Sequence, residues 1–351
     1  MISNVKEWAH LVKPLQVKDG PPGLYPKPRI WAEGRDWEGF GANFSYGFFT
    51  EPTVCHPIEG AVVHPYDEVL VFAGTDLGDI LALGGEMSIE LGEEREEHVF
   101  DLPMVVCIPK GLPHGPVRVR KIGSKAIAHY HFGLAAEYQG ERIPEVSLPP
   151  RTAGREYAAL VRALRNDPGP EQLAEIAQLT KEWESGGGAR SAAGPEAAAA
   201  TTTTAASEAS GALPPMIDSR GVLHPRGYVG PGNADSMIWM YGKDLAGFKL
   251  NFNWGFFSAT GSGSGNTDES HSHPEPEALI WVGLDPGDLG HLGAEVEIAL
   301  GPDLERHVFN EPTCVVCPPD LLHAPLIVRR VDDPYVFLLG CLDQEYEGRP
   351  A

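Results

Sequence analysis

Along much of the chain, apolar and polar residues alternate with a period of two. Phe252, Trp254 and Phe256 interleave with Asn251, Asn253 and Gly255, and Met87, Ile89 and Leu91 interleave with Ser88 and Glu90. Successive side chains of a strand point to opposite faces, so both runs are expected to be β-strands. Turn residues interrupt at Gly74-Thr75-Asp76, Gly283-Leu284-Asp285, Gly84-Gly85 and Leu292-Gly293. Short strands divided in this way point to a sandwich or a closed barrel. A helical period is confined to the middle of the chain. Leu173, Ile176, Leu179 and Trp183 follow the start signal Asp167-Pro168-Gly169-Pro170, and a shorter helical run, Tyr157-Ala158-Ala159-Leu160-Val161, precedes them.

The pattern occurs twice. Residues 64–116 align without a gap on residues 273–325, with 24 identities in 53 columns, among them His64/His273, Glu68/Glu277, His98/His307, Pro109/Pro318 and His114/His323. After one skipped residue upstream, Phe40, Asn43, Phe44 and Gly47-Phe48-Phe49 match Phe248, Asn251, Phe252 and Gly255-Phe256-Phe257. The chain is a duplicated domain. Between the copies, Ser185-Gly186-Gly187-Gly188 leads into an Ala/Thr/Ser-rich tract that ends at Pro214-Pro215 and offers no periodic apolar face, so a disordered linker is expected there.

Composition narrows the function classes. A net charge of −22 repels the phosphate backbone, which argues against a nucleic-acid partner. No apolar stretch approaches the ~18 residues needed to cross a bilayer and the first residues lack a secretion signal, so a cytoplasmic protein with no membrane partner is expected. Five cysteines are too few, and odd in number, for a disulfide framework. Cys314 and Cys317 form a CxxC inside a strand-like run, where positions three apart face opposite sides, so a structural role is expected for both.

The chemistry concentrates in the second copy. In His271-Ser272-His273-Pro274-Glu275-Pro276-Glu277 an extended backbone turns His271, His273 and Glu277 to one face, and His323 follows in a turn before the apolar run Leu326-Ile327-Val328. Three imidazoles and a carboxylate form a mixed N/O donor set for a divalent metal.

These residues resemble the cupin superfamily, in its duplicated, bicupin form. The first cupin motif runs Gly, five residues, His-x-His, three or four residues, Glu, six residues, Gly. Here it reads Gly265, five residues, His271-x-His273, three residues, Glu277, then five residues to Gly283. The second motif, Pro-x-Gly-x-x-His, stands as Pro109-Lys110-Gly111-Leu112-Pro113-His114, with Asp320 in the place of the glycine in the second copy. The resemblance, which covers roughly residues 38–135 and 246–345, implies an all-β chain of two jelly-roll barrels. Together with the helical and linker segments read above, the chain divides into an N-terminal arm (1–37), a first barrel (38–150), a short helical segment (151–184), a flexible linker (185–215) and a second barrel (216–351). The resemblance implies His271, His273, Glu277 and His323 as metal ligands of the second barrel. In the first, Val62 occupies the position of His271 and leaves His64, Glu68 and His114, either as a facial three-ligand set or as a degenerate, structural site.

Four ligands on an octahedral ion leave two positions for substrate, so a small oxygen-rich phenol, enol or carboxylate is the expected partner, with a homodimer compatible with the two-barrel chain. A non-heme Fe(II) dioxygenase is the leading reading. A redox-neutral decarboxylase, isomerase or lyase using Mn, Ni or Zn is the alternative, and a non-catalytic ligand- or metal-binding bicupin is the third. Tyr46, Phe48, Trp254 and Phe256 are expected to wall the pockets, and His129 and His131, which share a face of a late strand, are candidates for the first pocket. His98 and His307 read as hydrogen-bonded core groups, His56 as a loop residue, and Arg118 and Arg120 as side chains reaching to solvent.

Overall fold

The computed structural model describes residues 6–165, 233–262 and 270–350, together with a separate ladder of Met216–Ile217 on Leu223–His224. The helix expected at 173–183, the linker at 185–215 and Gly265 lie outside the described residues. Each copy folds into two antiparallel sheets packed face to face, a jelly-roll barrel. In the first barrel a seven-stranded sheet runs Val161–Ala163, Met104–Ile108, Glu68–Gly74, Ile127–Gly133, Asn43–Phe49, Arg29–Ala32, Val17–Lys18. The facing sheet is built on His114–Ile122, which pairs with Gly85–Leu91, Ala61–Val63 and Thr53–Cys55. The second barrel repeats the plan with Thr313–Cys317, Glu277–Gly283, Tyr335–Cys341, Asn251–Phe257 and Ser236–Met240 in one sheet and His323–Val331 central to the other.

The seven-stranded sheet of the first barrel and the sheet of the second that contains Glu277–Gly283 lie back to back. Their central strands are therefore apolar on both faces, as a doubly covered strand must be. Along Glu68–Gly74, Leu70 and Phe72 enter the interior of the first barrel, while Val69, Val71 and Ala73 join a core that also contains Ala278, Ile280 and Val282. This arrangement corrects the expected pocket walls. Tyr46, Trp254 and Phe256 are fully buried in the core between the barrels, whereas Phe48, partly buried against that core, does line a surface cleft of the first barrel. Tyr46 donates to the carbonyl of Gly283 in the other barrel at 2.9 Å, and Trp254 stacks on Tyr130 with ring centroids 5.5 Å apart. The reason lies in the phase of the alternation: the inward residues of Asn43–Phe49 are Asn43, Ser45, Gly47 and Phe49, and the aromatics between them face the partner barrel.

A second correction concerns the helical segment. The run at 157–161 forms a single 3-10 turn at Ala158–Leu160 and then a strand, Val161–Ala163, that pairs with Met104–Val106. The N-terminal arm does the same on the other barrel: a 3-10 turn at Ala9–Leu11 leads into Val12–Pro14, which pairs with Thr313–Val315. The two segments are copies, Trp8-Ala9-His10-Leu11-Val12-Lys13-Pro14-Leu15 beside Tyr157-Ala158-Ala159-Leu160-Val161-Arg162-Ala163-Leu164. Each thus edges the sheet of a barrel at an equivalent register. Tyr157 sits on Gly92 and Trp8 on Gly301; a Cβ at either glycine would lie 2.2 Å from the ring, and both backbones are left-handed (φ +76° and +73°). Glu96 accepts the backbone N–H groups of Glu156 and Tyr157 at 2.7 and 3.2 Å, and Glu305 those of Glu7 and Trp8 at 2.7 and 3.1 Å. His98 and His307 contact those carboxylates at 2.8 and 2.7 Å. Among the described residues no helix is long and apolar enough to cross a membrane.

Candidate metal centres

In the first barrel, four side chains from different strands or strand ends converge. Glu68 opens the central strand of one sheet, His114 opens the central strand of the other, and His64 follows strand Ala61–Val63. The fourth is His56, at the end of strand Thr53–Cys55, where the backbone turns left-handed (φ 48°). The Nε2 atoms of His56, His114 and His64 lie 3.1, 3.2 and 3.5 Å from Glu68 Oε2, and those of His56 and His114 lie 3.3 Å apart. Ligands at about 2.1 Å from one ion stand about 3–3.5 Å from each other, so the spacing is that of a coordination shell.

Tautomers and charge states agree with that fit. His64 Nδ1–H donates to the Gln139 carbonyl at 2.8 Å and His114 Nδ1–H to the Leu112 carbonyl at 3.0 Å, which leaves each Nε2 lone pair turned to the cluster. His64 Nε2 and Glu68 Oε1 are buried without a hydrogen-bond partner. Burial pushes His56 down to about 4 despite the pull of Glu68, and also lowers His64, so both are neutral donors. Burial acts to raise Glu68, but the ring of imidazoles around it, His56 and His64 foremost, holds its carboxyl well below the usual range. Neutral imidazoles around an ionised carboxylate are the protonation states that bind a divalent cation.

The second barrel brings His271, His273 and His323 within 4.8 Å of one another, and Glu277 joins His323 and Cys317 within the same limit. Glu277 Oε2 is 3.2 Å from His323 Nε2 and 3.6 Å from His273 Nε2. His273 and His323 donate through Nδ1 to the carbonyls of Glu347 and Leu321 at 2.7 and 3.0 Å, again aiming Nε2 inward. Cys317 adds a sulfur donor that the first barrel lacks, where Ile108 stands at the equivalent position. Cys314, three residues before it, faces the core between the barrels.

The surroundings of the two centres differ more than the centres do. Above the first lies a polar interior: Tyr25 Oη is 2.9 Å from His56 Nδ1, 3.1 Å from His131 Nδ1 and 3.3 Å from His129 Nε2. His131 also approaches Ser45 Oγ at 3.2 Å and Glu68 Oε1 at 3.8 Å. Strand pairing sets Phe337 and Leu339 in the second barrel where His129 and His131 stand in the first, so two apolar side chains replace the two imidazoles there. Sequence reasoning passed over Tyr25 and His56. Tyr25 lies in the arm, outside the aligned repeat, and His56, read as a loop residue, does follow strand Thr53–Cys55 in a bend but turns its ring into the cluster.

No protein-family model and no curated protein matches the sequence. Solved structures of similar shape include oxalate decarboxylase from Bacillus subtilis at pH 4.6, which is 11% identical, with 92% of this chain aligned to 74% of that one at a TM-score of 0.49. A second oxalate decarboxylase structure, concerned with substrate binding mode and a switch of reaction specificity, is 12% identical over the same shares at 0.48. At that identity and score the likeness transfers no metal, substrate or reaction. The duplicated motifs and the two jelly-roll barrels that carry them, each enclosing a histidine–glutamate cluster, make this chain a bicupin in fold.

Proposed function

We propose that the chain is a metal-dependent enzyme whose first barrel carries out redox-neutral proton-transfer chemistry, as a decarboxylase, isomerase or lyase, on a small oxygen-rich substrate. The supporting observation is the Tyr25 hydroxyl, within hydrogen-bond reach of three imidazoles of which one, His56, belongs to the ligand cluster. A divalent ion held by His56, His64, Glu68 and His114 would supply Lewis-acid polarisation of bound substrate oxygens. The chain supplies the rest. His129 Nδ1–H donates to the Val71 carbonyl at 2.9 Å, so its Nε2 is an acceptor for the Tyr25 hydroxyl. If His56 held such an ion through Nε2, its Nδ1–H would donate to Tyr25 Oη and leave the hydroxyl proton to His129, His131 or a substrate. Phe72 and Phe49 stack on His129 at 4.7 and 5.5 Å and keep bulk water from this path.

A proton held at one atom beside a Lewis-acid centre suits reactions that place a proton on, or take it from, a carbon next to a carbonyl or carboxyl group. The dioxygenase reading rests on open coordination positions alone. The N/O donor set of the first barrel accepts manganese, nickel or zinc as readily as iron. The test is turnover of a panel of small oxo- and hydroxy-acids, enols and phenols by protein loaded with Mn(II) or Fe(II), under argon and under air. Equal product in both atmospheres is expected; product that appears only with oxygen uptake would install the dioxygenase instead.

A further inference from the structure

Arg29 lies on strand Arg29–Ala32 with its side chain inside the first barrel, and it is 4% exposed. Its guanidinium packs 3.9 Å from the Tyr25 ring centroid and donates through one terminal nitrogen to the His129 carbonyl, while Nε is buried without a hydrogen-bond partner. Among the described residues no carboxylate forms an ion pair with it. Gly47, on the adjacent strand, makes the room: a Cβ there would meet the Arg29 side chain at 3.2 Å. Burying a cation without an anion is costly, so an arginine kept in this state marks a place where an anion arrives. The same side chain lines a cleft of about 400 Å³, open mouth included, with Tyr25, Gly47, Phe48, Phe49 and Thr53. In the second barrel the equivalent residue is Met237, packed over Gly255 as Arg29 is over Gly47.

We propose that Arg29 is the seat of a carboxylate group, reached through this cleft, and that only the first barrel takes an acidic ligand. A guanidinium presents parallel N–H donors matched to the two oxygens of a carboxylate, and the low-dielectric wall of aromatic rings strengthens the contact. The inference builds on the enzymatic reading above by adding the charge of the substrate. Tyr25 links the two places, with its ring under the guanidinium and its hydroxyl on His56.

The probe is malonate, titrated calorimetrically into the Mn(II)-loaded full chain and, in parallel, into the chelator-treated chain. The variants are Arg29→Met, which copies the second barrel and so is expected to fold, and Arg29→Lys, which keeps the charge without the fork. Arg29→Met is expected to weaken malonate binding at least about tenfold, with metal content unchanged, and Arg29→Lys to fall between it and the wild type. Wild-type protein that fails to bind malonate, or an Arg29→Met chain that binds it as tightly, would overturn the proposal. Because the readout is binding, the two readings fail separately. Malonate held by Arg29 in a chain that turns over no acid would remove the enzyme and keep the seat. Turnover of acids indifferent to Arg29→Met would do the reverse.

Discussion

Replacing Tyr25 by phenylalanine is expected to lower turnover by about 10²–10⁴-fold, the range associated with loss of a positioned general acid–base group. The ring, and with it the packing under Arg29 and against His56, His129 and His131, is kept; only the hydroxyl is removed. The donors of the metal cluster are untouched, so metal content should stay at the wild-type value. The effect should fall mainly on kcat, because the hydroxyl moves a proton in the reaction and does not anchor the substrate. A wild-type kcat would strip Tyr25 of its role, and a parallel loss of bound metal would assign it to holding His56 in place. Both quantities can be read on one sample, by initial-rate kinetics and elemental analysis.

Trp254→Ala is expected to cost about 3–5 kcal/mol of stability, as truncation of a fully buried tryptophan does. The indole is at 0% exposure, stacked on Tyr130 of the other barrel and set edge-on to Phe256 at 5.6 Å. Its removal opens a cavity in the one core that both barrels share, so the variant should unfold at lower denaturant and expose the inter-barrel surface to protease first. Metal content and KM should be unchanged in native buffer. A variant with normal stability and altered KM would return Trp254 to the pocket wall that the sequence suggested.

How much could be read from the sequence follows from what each residue's neighbours are. The duplication and the all-β fold were legible because a gapless offset and period-two alternation are properties of the chain itself. His98 and His307 were legible as core residues, though not what they contact: each meets a carboxylate, Glu96 or Glu305, that accepts backbone N–H groups from a segment outside the aligned repeat. Tyr46 and Trp254 were misjudged because their strands are buried on both faces; when Asn43, Ser45 and Gly47 point into the barrel and the aromatics point out, hydropathy carries no information on which face lines a site. His56 was hidden for a different reason. In the second copy, His271 reaches the cluster from a strand that pairs with His323, while in the first copy Val62 holds that pairing with His114. The imidazole arrives instead from strand Thr53–Cys55, which pairs further along the same strand, Cys55 facing Val117. A comparison position by position sees only a lost ligand, because the replacement occupies the same space from another place in the chain.

The sharpest test isolates the first centre. With the second disabled by His273→Ala and His323→Ala together, the full chain loaded with Mn(II) and freed of excess metal should retain about one ion per chain by elemental analysis, and that ion should be lost when His56→Ala is added. A doubly substituted chain that binds no metal, or one whose ion persists without His56, would contradict the four-ligand centre on which the functional reading stands.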